Sequence, residues 1–195
     1  MRRLPAAIVL IALLAIAALV LTRGGLGPSP TVSPPPLKVL AHYSNGMTFD
    51  YPAAWTAQHY QNVSSFSALT VYLSPLTLPD PCTRTGNETS CGIWPRVTVP
   101  DGGIVAAWYH WGGPGSGIDP TFGQPSTVGG RTARIRIGDA DQACAAIGGD
   151  HGFDVQVASD VQFNWDEFHA CYRGPDTSPI EAAIRSMLAT VAWSN

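Results

Sequence analysis

The stretch from Trp108 to Gly117, "WYHWGGPGSG", brings together the residue types of this chain that are best suited to bind a ligand. Trp108, His110 and Trp111 stand at the end of a strand-like run, just before a glycine-rich loop. Exposed aromatic rings of this kind contact sugars, lipids or peptides. Strand alternation puts Trp108 and His110 on one face and Trp111 on the other, so at least one ring packs inside. We predict these three residues as the ligand-binding site; the alternative is a core tryptophan followed by an ordinary loop.

Histidine and cysteine residues supply metal-ligand types at four other positions, but their spacing does not suit zinc. His169 and Cys171 form a His-x-Cys pair, while Cys144 and His151 lie well apart from it. Zinc sites need closely paired ligands, commonly two such pairs. The sequence therefore predicts no metal site and no cofactor.

Acidic and hydroxyl residues do not form a catalytic pattern either. Asp166 and Glu167 are adjacent, so on a strand they point to opposite faces and cannot act as a carboxylate pair. The string "GPGSG" at 113–117 differs from the Gly-x-Ser-x-Gly turn that presents a nucleophilic serine. We predict that the protein is not an enzyme. The alternative is a hydrolase of an envelope polymer that uses His110, His151 or Asp166 as its acid or base.

The N-terminal residues predict a membrane anchor. The run from Leu4 to Thr22 has no charge and, at about 1.5 Å per residue, forms a helix of roughly 28 Å, close to the thickness of a bilayer core. Arg2 and Arg3 precede the run, which favours a cytoplasmic N-terminus. Residues 1–23 are therefore predicted to be an uncleaved signal anchor with the rest of the chain extracytoplasmic. A cleaved signal peptide, which would make the protein secreted, is the alternative.

Composition divides the remainder into a stalk and a body. Residues 24–37 are rich in proline and glycine and carry no charge, which predicts an extended stalk. Residues 38–195 form the predicted extracytoplasmic domain, with eight basic and fourteen acidic residues and a net charge of −6. Such a body lacks the basic stripe that nucleic acid requires, so no nucleic-acid partner is expected. The expected membrane contact is through the N-terminal helix.

The four cysteines all lie in the predicted extracytoplasmic body. An even number in an oxidising compartment predicts two disulfides. Proximity in the sequence favours Cys82 with Cys91 and Cys144 with Cys171, although four cysteines allow three connectivities.

Periodicity and turn signals predict an α+β fold, an antiparallel sheet packed by helices. The dipeptides Asn45-Gly46 and Gly129-Gly130 suit hairpin turns. Strands are predicted at 67–74, 103–111, 131–137, 153–159 and 164–173, and helices at 139–149 and 178–193. In the second helix, Ser178 and Glu181 resemble a capping box. The proline-rich segment 75–100 is predicted to be an insertion held by Cys82 and Cys91.

Three short stretches resemble the PsbP-like superfamily. "MTFDYPAAW" (47–55) is similar to the strand end that opens many of these domains, "STVGGRTARIRI" (126–137) to an internal strand, and "IEAAIRSMLATV" (180–191) to the closing helix. The resemblance implies an αβα sandwich with an antiparallel sheet. Relatives include a photosystem accessory subunit, a nuclear Ran-binding protein and bacterial envelope proteins.

A narrower resemblance joins Cys82, Cys91 and Trp108 with the string "CYRGPD" (171–176). This pattern is similar to a group of anchored or secreted actinobacterial proteins of unknown role. Neither resemblance implies a catalytic motif. The sequence predicts a membrane-anchored, non-catalytic binding or accessory module of the bacterial cell envelope, whose partner is an envelope protein, a cell-wall component or a lipid. A purely structural spacer is a further alternative.

Overall fold

The computed structural model describes residues 36–41, 46–60, 66–86, 88–113 and 117–194. The predicted anchor and nearly all of the predicted stalk lie outside these residues. Within the described part of the chain, no helix is long and apolar enough to cross a membrane.

A seven-stranded antiparallel sheet forms the centre of the structure. Its spatial order is β3 (Thr56–Gln58), β4 (Ser67–Ser74), β7 (Ile104–Gly112), β11 (Asn164–Tyr172), β10 (His151–Ala158), β9 (Arg131–Asp139) and β8 (Gln124–Val128). A three-stranded sheet contains β1 (Leu37–Ala41), β2 (Met47–Pro52) and β12 (Ala192–Trp193), and a separate hairpin contains β5 (Cys82–Thr85) and β6 (Glu88–Cys91). The two described helices are α1 (Gln142–Ala146) and α2 (Ser178–Leu188).

The larger hydrophobic core lies on one face of the seven-stranded sheet, which we call the helix face. Strand alternation directs Trp108, Phe168 and Phe153 into it. α2 contributes its apolar stripe, which includes Ile184, and β2 contributes Phe49. The helix face is therefore sealed by a helix and by the small sheet together.

The opposite face, which we call the loop face, is covered mainly by the segment between β4 and β7. Leu78 and Val99 from this segment are buried against Tyr72 and Val105 of the sheet. α1 lies at the same face and is joined to β11 by the disulfide between Cys144 and Cys171. A loop layer thus takes the place that a second helix layer would have in an αβα sandwich.

The predicted α+β class is wrong, because the structure is 48% strand and 11% helix. The expected helix at 139–149 shrinks to the five residues of α1. Asp141 caps this helix by accepting a hydrogen bond from the backbone N–H of Cys144 at 2.7 Å, and Gly148 follows with φ +83°. The segment 75–100, which was predicted to be an insertion, packs against the sheet and contributes Leu78 and Val99 to the loop-face core.

The C-terminal helix is also shorter than predicted. Its first residue is Ser178, so the expected cap at that position does not form; Glu181 accepts instead from the hydroxyl of Thr177 at 2.9 Å. The helix stops at Leu188, and the Thr190 hydroxyl accepts a hydrogen bond from the backbone N–H of Asp50 at 2.8 Å. Side-chain bonds to the backbone of this kind compete with helical ones. Trp193 consequently pairs with β2 as part of β12.

The predicted turn at Gly129-Gly130 and the two favoured disulfides are confirmed, while Asn45 of the other predicted turn lies outside the described residues. β1 and β2 form an antiparallel pair that leads into Gly46, which has φ +72°. β8 and β9 meet through Gly129 and Gly130, both with positive φ as a tight hairpin turn requires. The cysteines pair as Cys82 with Cys91, directly across the β5–β6 hairpin, and as Cys144 with Cys171.

The buried disulfide requires a glycine beside it. A Cβ atom at Gly149 would collide with the Sγ atoms of both Cys144 and Cys171. We expect Gly149→Ala to lower the free energy of unfolding by about 1–3 kcal/mol, because the disulfide has no room to move. Gly138→Ala is the matched control, since a Cβ there meets nothing within 4 Å. Chemical denaturation followed by circular dichroism measures both, and equal stability of the two variants would refute the tight contact.

Candidate functional site

The three predicted binding residues lie on β7, but they do not share one surface. Trp108 is 0% exposed, and its ring centroid lies 5.9 Å from that of Phe49 and 5.2 Å from that of Phe168. His110 follows on the same face, while Trp111 points to the loop face. The structure therefore places Trp108 in the helix-face core and separates it from Trp111.

Trp111 stacks on Trp165, a residue that the sequence did not single out. The two residues are directly opposite in the β7–β11 register, with ring centroids 5.6 Å apart and planes only 8° from parallel. Both rings are partly buried. Neither indole N–H has a hydrogen-bond partner among the described residues. The pair forms a half-covered aromatic surface where β7 ends.

Exposed apolar side chains gather at the same end of the sheet. Phe66 is 61% exposed, Val161 60% and Phe163 46%. The backbone holds these segments next to one another: Gly112 N–H donates to the carbonyl of Phe66 at 2.9 Å, and Gly113 N–H donates to the carbonyl of Phe163 at 3.1 Å. We call the five residues Phe66, Trp111, Val161, Phe163 and Trp165 the aromatic end.

The turn between β10 and β11 leaves its apolar side chains, Val161 and Phe163, exposed. Phe163 has φ +65°, a left-handed conformation that a bulky side chain rarely adopts. The N–H of Val161 donates to the hydroxyl of Ser159 at 3.1 Å, and the N–H of Asn164 donates to the carbonyl of Val161 at 3.1 Å. A tight turn therefore leaves both apolar side chains outside the core, and strained backbone of this kind is characteristic of functional sites.

His110 forms a pair with Asp166 beside the aromatic end. His110 Nδ1 lies 3.0 Å from Asp166 Oδ1, and the two residues are direct neighbours across β7 and β11. The side chain of Asp166 is 1% exposed, whereas that of His110 is 23% exposed. A buried carboxylate that orients a more accessible imidazole is the geometry of an acid–base pair.

A second histidine lies on the loop face between two carboxylates. His169 Nδ1 is 3.0 Å from Asp154 Oδ1, and His169 Nε2 is 3.3 Å from Glu167 Oε2. Arg136 donates to Asp154 through Nη2 at 2.8 Å, and Gln156 donates to Glu167 at 3.3 Å. Both ring nitrogens of His169 are engaged, so this side chain holds the cluster together and has no nitrogen available to act as a base.

The electrostatics of this cluster keep His169 charged. Burial on its own lowers the pKa of His169, but hydrogen bonds with Asp154 and Glu167 outweigh burial and raise the pKa to about 9. For Asp154, burial acts to raise the pKa, and the bonds with His169 and Arg136 hold it below its ordinary value. At neutral pH the imidazolium, together with Arg136, thus balances the carboxylates of Asp154 and Glu167.

The stability of the protein should therefore fall in mildly alkaline solution. His169 binds its proton more tightly in the folded protein than in the unfolded chain, where the pKa is near 6.5. Its contribution is fully present below about pH 6.5 and disappears as the pH rises through about 9. We expect the free energy of unfolding to drop by at most about 3 kcal/mol between pH 6.5 and pH 9.5.

Denaturation at a series of pH values, with His169→Gln as the control, tests this expectation. The variant should be less stable than the parent at neutral pH and should show a flat profile across that window. Tyr109 also faces the cluster, but burial raises its pKa to about 12, outside the window. The same alkaline loss in parent and variant would assign the effect to another group.

The segment between β4 and β7 is fastened over this cluster. Trp94 packs its ring edge-on against His169, with centroids 6.4 Å apart and planes at 81°. The hydroxyl of Tyr109 donates to the carbonyl of Ile93 at 2.8 Å, and the hydroxyl of Tyr72 donates to the same carbonyl. The segment between β4 and β7, which contains the Cys82–Cys91 disulfide, therefore covers the loop face.

The described residues contain no group of three or more metal-ligating side chains that could hold an ion. The Cys144 and Cys171 thiols are joined in a disulfide, and His169 is occupied by carboxylates. No model of a known protein family matches the chain, and no curated protein is significantly similar to it. The resemblance to PsbP-like domains stays a prediction.

Proposed function

We propose that this protein is a non-catalytic binding module of the bacterial cell envelope, anchored by its N-terminal segment, with its body outside the cytoplasm. It engages an envelope protein or a cell-wall or lipid component through the aromatic end. The observation that supports this function is the exposure of Phe66, Val161 and Phe163 at the end of the sheet that also carries the stacked Trp111 and Trp165. Soluble proteins seldom leave such a cluster uncovered unless it binds something. A purely structural spacer has no need of it.

The other surfaces are less suited to binding a partner through the backbone. Val128 and Arg131 flank a two-residue turn and therefore form a hydrogen-bonded pair between β8 and β9. Backbone groups alternate in direction along a strand, so those of Pro125 and Thr127 point away from β9, toward the free edge. Because proline has no N–H, this edge offers few hydrogen bonds to an added strand. The opposite edge, β3, is three residues long. Both edges of the main sheet are therefore protected.

Loss of the exposed apolar side chains should abolish partner binding without unfolding the body. We expect the double variant Val161→Ser, Phe163→Ser to copurify with at most about one tenth of the bound component that the parent carries. Removing the few side chains that dominate an interface weakens binding to this extent. The tagged full chain is isolated from its own cells in native lipid discs, and the copurifying component is quantified by mass spectrometry.

The matched control for this experiment is Ile93→Ser. Ile93 is 47% exposed and belongs to the segment between β4 and β7 that covers the loop face, not to the aromatic end. The control should keep the bound component, and both variants should keep the melting temperature of the parent. Equal recovery from the double variant and the parent would disprove binding through the aromatic end.

A second candidate function is hydrolysis of an envelope polymer, and the His110–Asp166 pair is the observation that favours it. The contact of 3.0 Å orients the imidazole as a general acid–base catalyst requires. The test is to incubate the protein with purified cell-wall polymer and to measure the soluble fragments that are released. Release that is lost in His110→Gln, and kept in His59→Gln as a surface control, would establish hydrolysis; no release by the parent would eliminate it.

A further inference from the structure

A groove separate from the aromatic end lies on the helix face, between α2 and the outer strands β8 and β9. It has two connected parts of about 350 Å³ and 220 Å³, which share Ile135 and Arg185. The first volume is within the range of small-ligand sites, which begins at roughly 300 Å³. The α2 helix covers β10 but leaves the surface of β9 partly open.

The floor of the groove is apolar where the sequence pattern predicts a buried surface. Ala133, Ile135 and Ile137 alternate with arginines along β9, so one face of the strand is expected to be covered. Ala133 is 1% exposed, Ile135 is partly buried and Ile137 is 36% exposed. The exposed fraction therefore rises from Ala133 to Ile137, and the apolar floor of the groove is open to solvent near Ile137.

Arg185 is the charge that this groove offers. It forms no salt bridge with any described residue, although Glu181 stands one turn earlier on the helix, the spacing at which such pairs usually form. Glu181 is directed elsewhere and accepts from the hydroxyls of Thr177 at 2.9 Å and Tyr172 at 3.2 Å. Arg185 instead lies over the ring of Phe153, with its guanidinium carbon 5.3 Å from the ring centroid.

The lining lacks any carboxylate, in a body whose net charge is −6. The polar side chains of Gln124 and Ser126 line the larger part, next to Arg185, and the smaller part is closed by Val128 and Leu188. Arg185 stands in the last turn of α2, where the helix dipole stabilises its positive charge. Arg185 lines both parts, and the larger part has two further polar side chains where the smaller part has one, Thr127.

We propose that this groove binds a single-chain anionic amphiphile, a carboxylate with a short alkyl tail. The carboxylate lies in the larger part against Arg185 and Gln124, and the tail runs over Ile135 toward Val128. An added peptide strand is a poor occupant, because Pro125 removes an N–H from the adjacent edge. This proposal rests on residues outside the aromatic end and stands independently of the proposed function.

Titration of the full chain with octanoate tests the proposal. The protein, carrying labelled isoleucine methyl groups, is held in uncharged lipid discs, and methyl spectra are recorded at increasing octanoate. We expect saturable shifts at Ile135 and Ile137 and none at Ile93, which serves as the internal reference. Arg185→Gln should weaken the apparent affinity by at least about fivefold, because a charge-assisted contact is lost.

Two controls make the result decisive. Arg173→Gln, which removes a surface arginine paired with Asp101 at 2.8 Å, should leave the affinity unchanged. Octylammonium and octan-1-ol, which share the tail but not the negative charge, should shift the groove methyl groups far less. Partition into the lipid is the same for every variant and cancels. Absence of saturable shifts, equal binding by Arg185→Gln, or equal binding of octylammonium would overturn the proposal.

Discussion

Trp108→Ala should lower the free energy of unfolding by about 3–5 kcal/mol, the largest effect that we expect from a single substitution. The ring is 0% exposed and packs between Phe49 and Phe168, so its removal leaves a cavity in the helix-face core. Chemical denaturation followed by far-ultraviolet circular dichroism measures the loss independently of tryptophan fluorescence.

Trp111→Ala is the matched comparison, three residues along the same strand. Trp111 is only partly buried, and it contacts the buried ring of Tyr109 and the partly exposed ring of Trp165. Each such ring pair stabilises the fold by about 0.5–1.5 kcal/mol beyond the apolar area that it buries, so we expect Trp111→Ala to cost less than Trp108→Ala. A loss as large as that of Trp108→Ala would mean that both rings are core residues. Trp111 would then be part of the hydrophobic core, and its assignment to the binding surface would be wrong.

Joint replacement of Cys144 and Cys171 by serine should cost about 3.5 kcal/mol of stability, since the bridge closes a loop of 27 residues. Both cysteines are buried, at 3% and 0% exposure, so two hydroxyl groups would also have to be accommodated inside. The melting temperature of the purified variant, compared with that of the parent, measures the effect.

The second disulfide provides the control for this prediction. Replacing Cys82 and Cys91 opens a loop of only 9 residues in the β5–β6 hairpin, and the expected loss is about 2.6 kcal/mol or less. The Cys144–Cys171 variant should therefore melt at the lower temperature. An unchanged melting temperature in that variant would contradict a structural role for the buried bridge.

Local patterns were sufficient to predict most of the main sheet. Alternation in "RTARIRI" and the glycine pair before it predicted β9 and its turn. The strand is present from Arg131 to Asp139, and the turn at Gly129-Gly130 joins it to β8. The fold class was wrong because the segment 75–100 has no repeating apolar pattern, yet its scattered residues such as Leu78 and Val99 are buried. Burial of an irregular segment depends on tertiary contacts, which periodicity does not report.

The same limit explains the candidate site. Sequence spacing identified Trp111 and the strand end, and it predicted correctly that Trp108 and Trp111 face opposite sides. Trp165 could be joined to Trp111 only through the β7–β11 register, which links residues that are 54 positions apart in the chain. His169 was considered as a metal ligand. Its partner Glu167 lies two residues earlier on β11, but its partner Asp154 lies on β10 and becomes adjacent only in the folded sheet.

Site-specific photo-crosslinking at Phe163 is the most direct test of binding through the aromatic end. A benzophenone-bearing residue replaces Phe163 in the full chain in its own cells, and Ile93 is replaced in the same way as an exposed control. Illumination should yield a discrete adduct of higher mass at position 163 and none at position 93. No adduct at position 163, or the same adduct at both positions, would contradict the claim that this end of the sheet holds the partner.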